Sequence, residues 1–159
     1  MKKAALRQAI LHQLRAELAR QTGAAQLARD EAISEESRAE NKYDTHSQEA
    51  AYLAEGQARL AGEIEQNLEH YAAMPLPDFG PGDVIALGAI VEMKGRGRTA
   101  WYFFGPRAGG LEVTVDGREV LVLTPQSPLG RALLGRRAGD VVTTPGRGGS
   151  AEYRIVSVA

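Results

Sequence analysis

The sequence predicts an α+β protein: an antiparallel pair of long helices, then a small antiparallel β-sheet carrying one short helix. Three observations predict it. The helix breakers are segregated, because all seven prolines and fifteen of the eighteen glycines lie after Met74. Apolar residues before that point recur at helical spacing, and those after it fall in short runs bounded by glycine and charge. The length, 159 residues, is about one ordinary domain's worth.

The first helix is predicted over 3–36. Leu6, Ile10, Leu14 and Leu18 recur every four residues, with alanines between them. The second is predicted over 43–72, where Leu53, Leu60, Ile64, Leu68 and Tyr71 form a similar stripe. Each stripe is narrow, so each helix needs a partner, and an antiparallel coiled-coil hairpin is the simplest answer. Such a rod is roughly 50 Å long. Its turn is expected over 34–41, where apolar residues give way to Ser, Glu and Asn. The hairpin occupies 1–73. Residues 74–83, Met-Pro-Leu-Pro-Asp-Phe-Gly-Pro-Gly-Asp, form a stiff linker, since proline fixes φ and stops a helix.

Strands are expected over 84–93, 99–104, 111–115, 119–124, 140–143 and 151–158, making 84–159 the sheet domain. Asp116-Gly117 tolerates the positive φ angles of a tight hairpin. The stretches 95–98 and 146–149, rich in Gly and Arg, read as hairpin tips rather than phosphate loops, because neither has Gly-Lys-Ser/Thr ahead of a long helix. One short helix interrupts the strands. Ser127 caps it, Pro128 suits its first position, Leu129, Leu133 and Leu134 supply an apolar face, and Gly135 ends it.

Composition excludes several functions. With no cysteine there is no disulfide, thiol nucleophile or thiolate metal site. A net charge of −1 argues against a generally basic nucleic-acid binder. No apolar stretch is long enough to span a bilayer, so no membrane partner is expected. The total hides an uneven distribution: residues 1–74 carry −3, residues 75–159 carry +2, and residues 29–49 alone carry −4. The acids there are Asp30, Glu31, Glu35, Glu36, Glu40, Asp44 and Glu49. His12, His46 and His70 lack metal-ligand spacing. Tyr52 is expected to pack across the hairpin, whereas Tyr43 suits either packing or stacking on a nucleotide.

The run from Thr124 to Val142, with Ser127-Pro128, a helix containing Arg131, Leu133-Leu134-Gly135 and Asp140-Val141-Val142, closely resembles the C-terminal domain of the bacterial GreA/GreB transcript-cleavage factors. Residues 152–158 resemble that family's last strand, and the order of hairpin, linker and sheet domain is the same. The resemblance implies an FKBP-like sheet domain that docks on RNA polymerase in the cytoplasm, with Ser127, Pro128, Leu129, Arg131, Leu133 and Gly135 in the docking region. It also implies a hairpin entering the polymerase secondary channel. There, acidic tip residues assist the polymerase's own Mg²⁺ in hydrolysing the nascent RNA 3′ end of a backtracked complex, and no cofactor belongs to the factor itself. Oxygen donors suit Mg²⁺, and two-metal hydrolysis uses carboxylates and an activated water.

The family tip reads Asp-x-x-Glu-Asn. Here Glu40-Asn41 matches, but Ser37 stands at the aspartate position. Glu36 lies four residues before Glu40, a spacing that puts both carboxylates on one face of a continuous helix. Glu36, Glu40 and Asp44 are therefore the candidate catalytic residues, with Glu36 and Glu40 as candidate metal ligands. A solvated turn explains the same acids without chemistry, and a capped helix explains Ser127 through Gly135. Three functional readings follow: an accessory to RNA cleavage, a channel-binding competitor that does not cut RNA, and a coiled-coil adaptor without polymerase binding. The alanine-rich face of the first helix leaves room for a homodimer.

Overall fold

The computed structural model describes residues 1–38, 45–146 and 149–159, with the side chains of all of these except 35–38, 45–47, 50, 145 and 146. Helix α1 spans Lys3–Arg38 and helix α2 spans Thr45–Ala73. Both are free of proline and rich in Ala, Leu, Glu, Gln and Arg, which lose little on entering a helix. Helix α1 runs through Ser34 to Arg38, so the first part of the expected turn is helical. The chain divides into two compact units, Leu11–Glu69 and Met1–Ile10 with His70–Ala159.

In the unit Leu11–Glu69, the seam between the helices follows a repeat of three and four residues. Leu14, Ala25, Ala28, Ala32 and Ala54 are buried on it, and Leu18, Gln21, Gln57, Ala61, Ile64 and Leu68 are half-buried. Two expectations fail here. Leu53 is 56% exposed and Leu60 is 45% exposed, and Tyr52 points outward at 73%. The seam positions are Ala54 and Ala61, each one residue later, which turns Leu53 and Leu60 onto a flank of α2. Gln21 and Gln57 each bury a side-chain carbonyl oxygen with no hydrogen-bond partner among the described residues.

The other unit holds a six-stranded sheet in the order β3-β4-β2-β1-β6-β5. The strands are β1 (Ile90–Gly95), β2 (Arg98–Phe104), β3 (Glu112–Val115), β4 (Arg118–Leu123), β5 (Val141–Gly146) and β6 (Gly149–Val158). Neighbours are antiparallel except β2 and β4, which run parallel from Trp101↔Val120 to Phe104↔Leu123. Two hairpins close on two-residue turns with positive φ at both positions: Arg96-Gly97 (50° and 73°) and Asp116-Gly117 (51° and 73°). The β5–β6 pairing reaches Gly146↔Gly149, around a tip whose residues 147 and 148 lie outside the described residues.

The first expected strand is shorter than its apolar run. Residues 84–89 are not in the sheet; Gly88 has φ +89°, and a Cβ there would stand 2.8 Å from Pro77 Cδ. Ile85 instead exchanges backbone hydrogen bonds with the chain leaving helix α3 (Pro128–Leu133): its N–H donates to Arg136 O at 2.8 Å and its carbonyl accepts from Gly135 N at 3.0 Å.

Side chains alternate along the strands, so the sheet buries residues on both faces. On one, Val91, Met93, Phe104, Leu123, Val142 and Ile155 pack with Ile85, Ala89 and Leu133. Ile90, Phe103, Val113, Val120 and Val122 are buried on the other. Leu6, Ile10 and Tyr71, from the helix ends in this unit, are fully buried. The Tyr71 hydroxyl donates to Arg107 O at 2.5 Å, and burial holds its phenol well above the ordinary tyrosine pKa. Gly105 is needed beside it, because a Cβ at that position would lie 2.1 Å from Tyr71 Oη.

The segment 74–83 is tied to the start of α1. Lys3 donates to Pro77 O and stands 4.4 Å from the centre of the Phe79 ring, and Arg7 donates to Met74 O at 3.3 Å. Burial lowers the Lys3 pKa, against a smaller upward pull from Asp78.

Candidate functional site

Helix α3 is built by its first residue. Ser127 adopts an extended backbone, φ −69° and ψ 153°, and its Oγ accepts from Gly130 N at 3.0 Å. The same hydroxyl donates to Thr124 O at 2.9 Å, fixing the chain that leaves β4. Pro128 follows, where a missing N–H costs nothing. Gly130 is buried over this cap; a Cβ would sit 1.9 Å from Thr124 O and 2.7 Å from Ser127 Oγ. After the helix, Gly135 takes φ +77° and hands the chain to Ile85.

The corner therefore sorts the expected docking residues into two kinds. Leu133 is fully buried in the core and Leu129 packs against it half-buried. Ser127 is a half-buried cap. Pro128, Arg131 and Gly135 are exposed. Leu134, expected on the apolar face, is 48% exposed, because the helix ends at Leu133 and the chain turns outward. Val84, 39% exposed, joins the corner through the neighbouring Ile85 pairing. Arg136 and Arg137 are also exposed, and the Asp140 carboxylate accepts from Arg137 N at 2.9 Å. The corner exposes two apolar residues, Leu134 and Val84 (the latter next to the Ile85 pairing), and the guanidinium-bearing Arg131, Arg136 and Arg137. Val84 could not be placed there from sequence, since the pairing that delivers it joins segments about fifty residues apart.

Of the acidic residues, Glu36 lies on the last turns of α1, with Ser37 and Arg38 after it. Glu40, Asp44 and Tyr43 lie outside the described residues. His46 is in the first turn of α2, and Glu49 is exposed one turn later. Among the described residues no group of three or more His, Asp or Glu side chains is placed to hold a metal ion, and no helix is long and apolar enough to cross a membrane.

The chain is similar to several known proteins. A family model described as the C-terminal part of transcription elongation factor GreA/GreB matches residues 109–159. The transcription inhibitor protein Gfh1 of Thermus aquaticus is 30% identical over 120 residues, covering 73% of this chain and 71% of its own. Transcription elongation factor GreA of Thermomicrobium roseum is 31% identical over 116 residues, covering 73% of this chain and 68% of its own. A crystal structure of GreA factor homolog 1 (Gfh1) of Thermus thermophilus is 22% identical, covers 94% of both chains and has a TM-score of 0.38.

Proposed function

Because this chain belongs to the GreA/GreB family of transcription elongation factors, we propose that it is a cytoplasmic regulator that binds RNA polymerase. Its α3 corner docks on the enzyme and its hairpin enters the secondary channel. The observation that carries the reading is the continuity of α1. It runs unbroken for 36 residues, Lys3–Arg38, to a carboxylate-rich end. At 1.5 Å per residue that helix is roughly 50 Å long, enough to deliver a carboxylate into a deep channel.

Glu36 and Glu40 are the residues that would approach the polymerase's Mg²⁺, with Asp44 beside them; carboxylate oxygens are the donor type that ion takes. The bound ion would supply Lewis-acid activation of water for RNA hydrolysis. The contribution of this chain is placement. Glu36 lies on the last turns of α1, and a spacing of four residues is the one that brings two carboxylates to one face of any continuous helix. Ser37 at the family's aspartate position favours a second reading, a channel-binding competitor that does not promote cleavage.

A transcript-cleavage assay on backtracked complexes decides between them, with wild type and Glu40→Ala. Cleavage lost in the variant supports the accessory role. Polymerase binding without cleavage by either protein supports the competitor. No retention on purified core polymerase at micromolar protein refutes both and leaves a coiled-coil adaptor.

A further inference from the structure

Helix α2 carries a groove on its outer flank, in the unit Leu11–Glu69. It has a volume of about 430 Å³ and is lined by Tyr52, Leu53, Gly56, Arg59, Leu60 and Glu63, with Gln57 at its edge. Gly56 is the floor. Its neighbours on a helix surface are the residues three and four away, which are Tyr52, Leu53, Arg59 and Leu60. Three of those four are large, apolar-bodied and exposed, at 73%, 56% and 45% for Tyr52, Leu53 and Leu60. Nothing lies within 4 Å of a Cβ built on Gly56, so packing within the described chain does not call for glycine there. Glycine in a helix interior costs about 1 kcal/mol relative to alanine. Gly23 is equally open, but its helix neighbours are Ala19, Arg20, Gln26 and Leu27, which build no apolar rim.

The charges around the groove select its occupant. Glu49 and Glu63 are exposed, seven residues before and after Gly56 on the same line of the helix. Each is about 10 Å from Gly56. A second copy of this chain centred on Gly56 is disfavoured in either direction: antiparallel, Glu49 meets the other copy's Glu63, and parallel, like residues meet. A nucleic-acid backbone meets one guanidinium, that of Arg59 in the groove, but a carboxylate at both ends. A polypeptide with an apolar side chain for the pit and basic side chains about 10 Å to either side matches both the shape and the charge.

We propose that this groove docks such a segment, a helix with Lys or Arg seven residues before and after a central apolar residue, and that RNA polymerase supplies it. The polymerase part rests on the function proposed above. The contact would grip the hairpin along its side.

Gly56→Leu in the full-length protein fills the pit and raises helix propensity, so loss of folding does not confuse the result. Gly23→Leu is the matched control. Two probes are used: purified core RNA polymerase, and a labelled helical peptide with one central leucine and lysines seven residues to either side. Wild type and Gly23→Leu are expected to bind both. Gly56→Leu is expected to bind each about tenfold or more weakly, and Glu49→Lys/Glu63→Lys to weaken the peptide and reverse its salt dependence, because lysine then faces lysine. Equal polymerase binding by wild type and Gly56→Leu overturns the groove contact and leaves the polymerase reading standing. Peptide binding that depends on Gly56, without polymerase binding, overturns the polymerase assignment and keeps the groove. Binding of neither probe overturns both. A wild-type dimer in sedimentation that Gly56→Leu abolishes makes a second copy the occupant and overturns the charge argument.

Discussion

Gly130→Ala sets two effects of opposite sign against each other. In an open helix, alanine for glycine gains about 1 kcal/mol. At Gly130 the new Cβ would stand 1.9 Å from Thr124 O and 2.7 Å from Ser127 Oγ, both held by the cap itself. Thr124 O accepts from Ser127 N at 3.1 Å and from Ser127 Oγ at 2.9 Å, and Gly130 N donates to that Oγ at 3.0 Å. Relieving the clash breaks or lengthens these three bonds. At about 1 kcal/mol each, the loss is about 3 kcal/mol, so about 2 kcal/mol net after the propensity gain. With a urea slope of 1–3 kcal/mol per molar, the midpoint should fall by about 1 M at unchanged slope. The single tryptophan, Trp101 on β2, reports the sheet unit alone by fluorescence. Gly23→Ala, with open space around its Cβ, should instead raise the helical melt. An unchanged or higher urea midpoint for Gly130→Ala would refute the steric account of this cap.

Two further outcomes follow from buried polar atoms. Burial raises the Tyr71 pKa, so the unfolded chain ionises this phenol first; its stabilisation is complete below about pH 10 and is lost as pH climbs toward the native value. Tyr71→Phe should cost about 1 kcal/mol at neutral pH through the bond to Arg107 O and flatten the alkaline loss of stability seen in urea titrations, whereas an equal alkaline loss in both proteins would contradict this. Gln57→Leu removes a buried carbonyl oxygen that has no partner among the described residues and should stabilise the hairpin by about 1 kcal/mol, read as a higher midpoint in circular dichroism at 222 nm.

What could be read from the sequence depended on how local the cause was. The stripe Leu6, Ile10, Leu14 marks the buried face of α1 correctly, because large side chains lie on it. On α2 the same rule points to Leu53 and Leu60, yet the seam there is lined by alanines, and a leucine one position off it has the same period. Asp116-Gly117 announces its turn, since the φ values it needs are set by the residues themselves. The parallel pairing of β2 and β4 is not local: β4 reaches β2 only after the chain has passed through β3. Of the candidate site, the α3 cap was legible down to Ser127, Pro128 and Gly135, because capping is a local interaction. The membership of Val84 in that corner, and the pit around Gly56, depend on which way a face turns, and apolar period alone does not fix that.

The position of β6 in the sheet bears on how the protein is made. It is the last strand in the chain, yet it lies between β1 and β5, and Val91 pairs with Val158. During synthesis, β1 and β2 can zip together as soon as both have emerged, but the other edge of β1 must then wait through some fifty more residues. That edge belongs to a strand whose Val91 and Met93 are destined for the core, the kind of edge that recruits strands from other chains. Contacts this distant in sequence also form slowly. The nascent protein should be most prone to aggregate in that interval, and slowing translation just ahead of residue 149 should lower its soluble yield more than slowing it inside the hairpin.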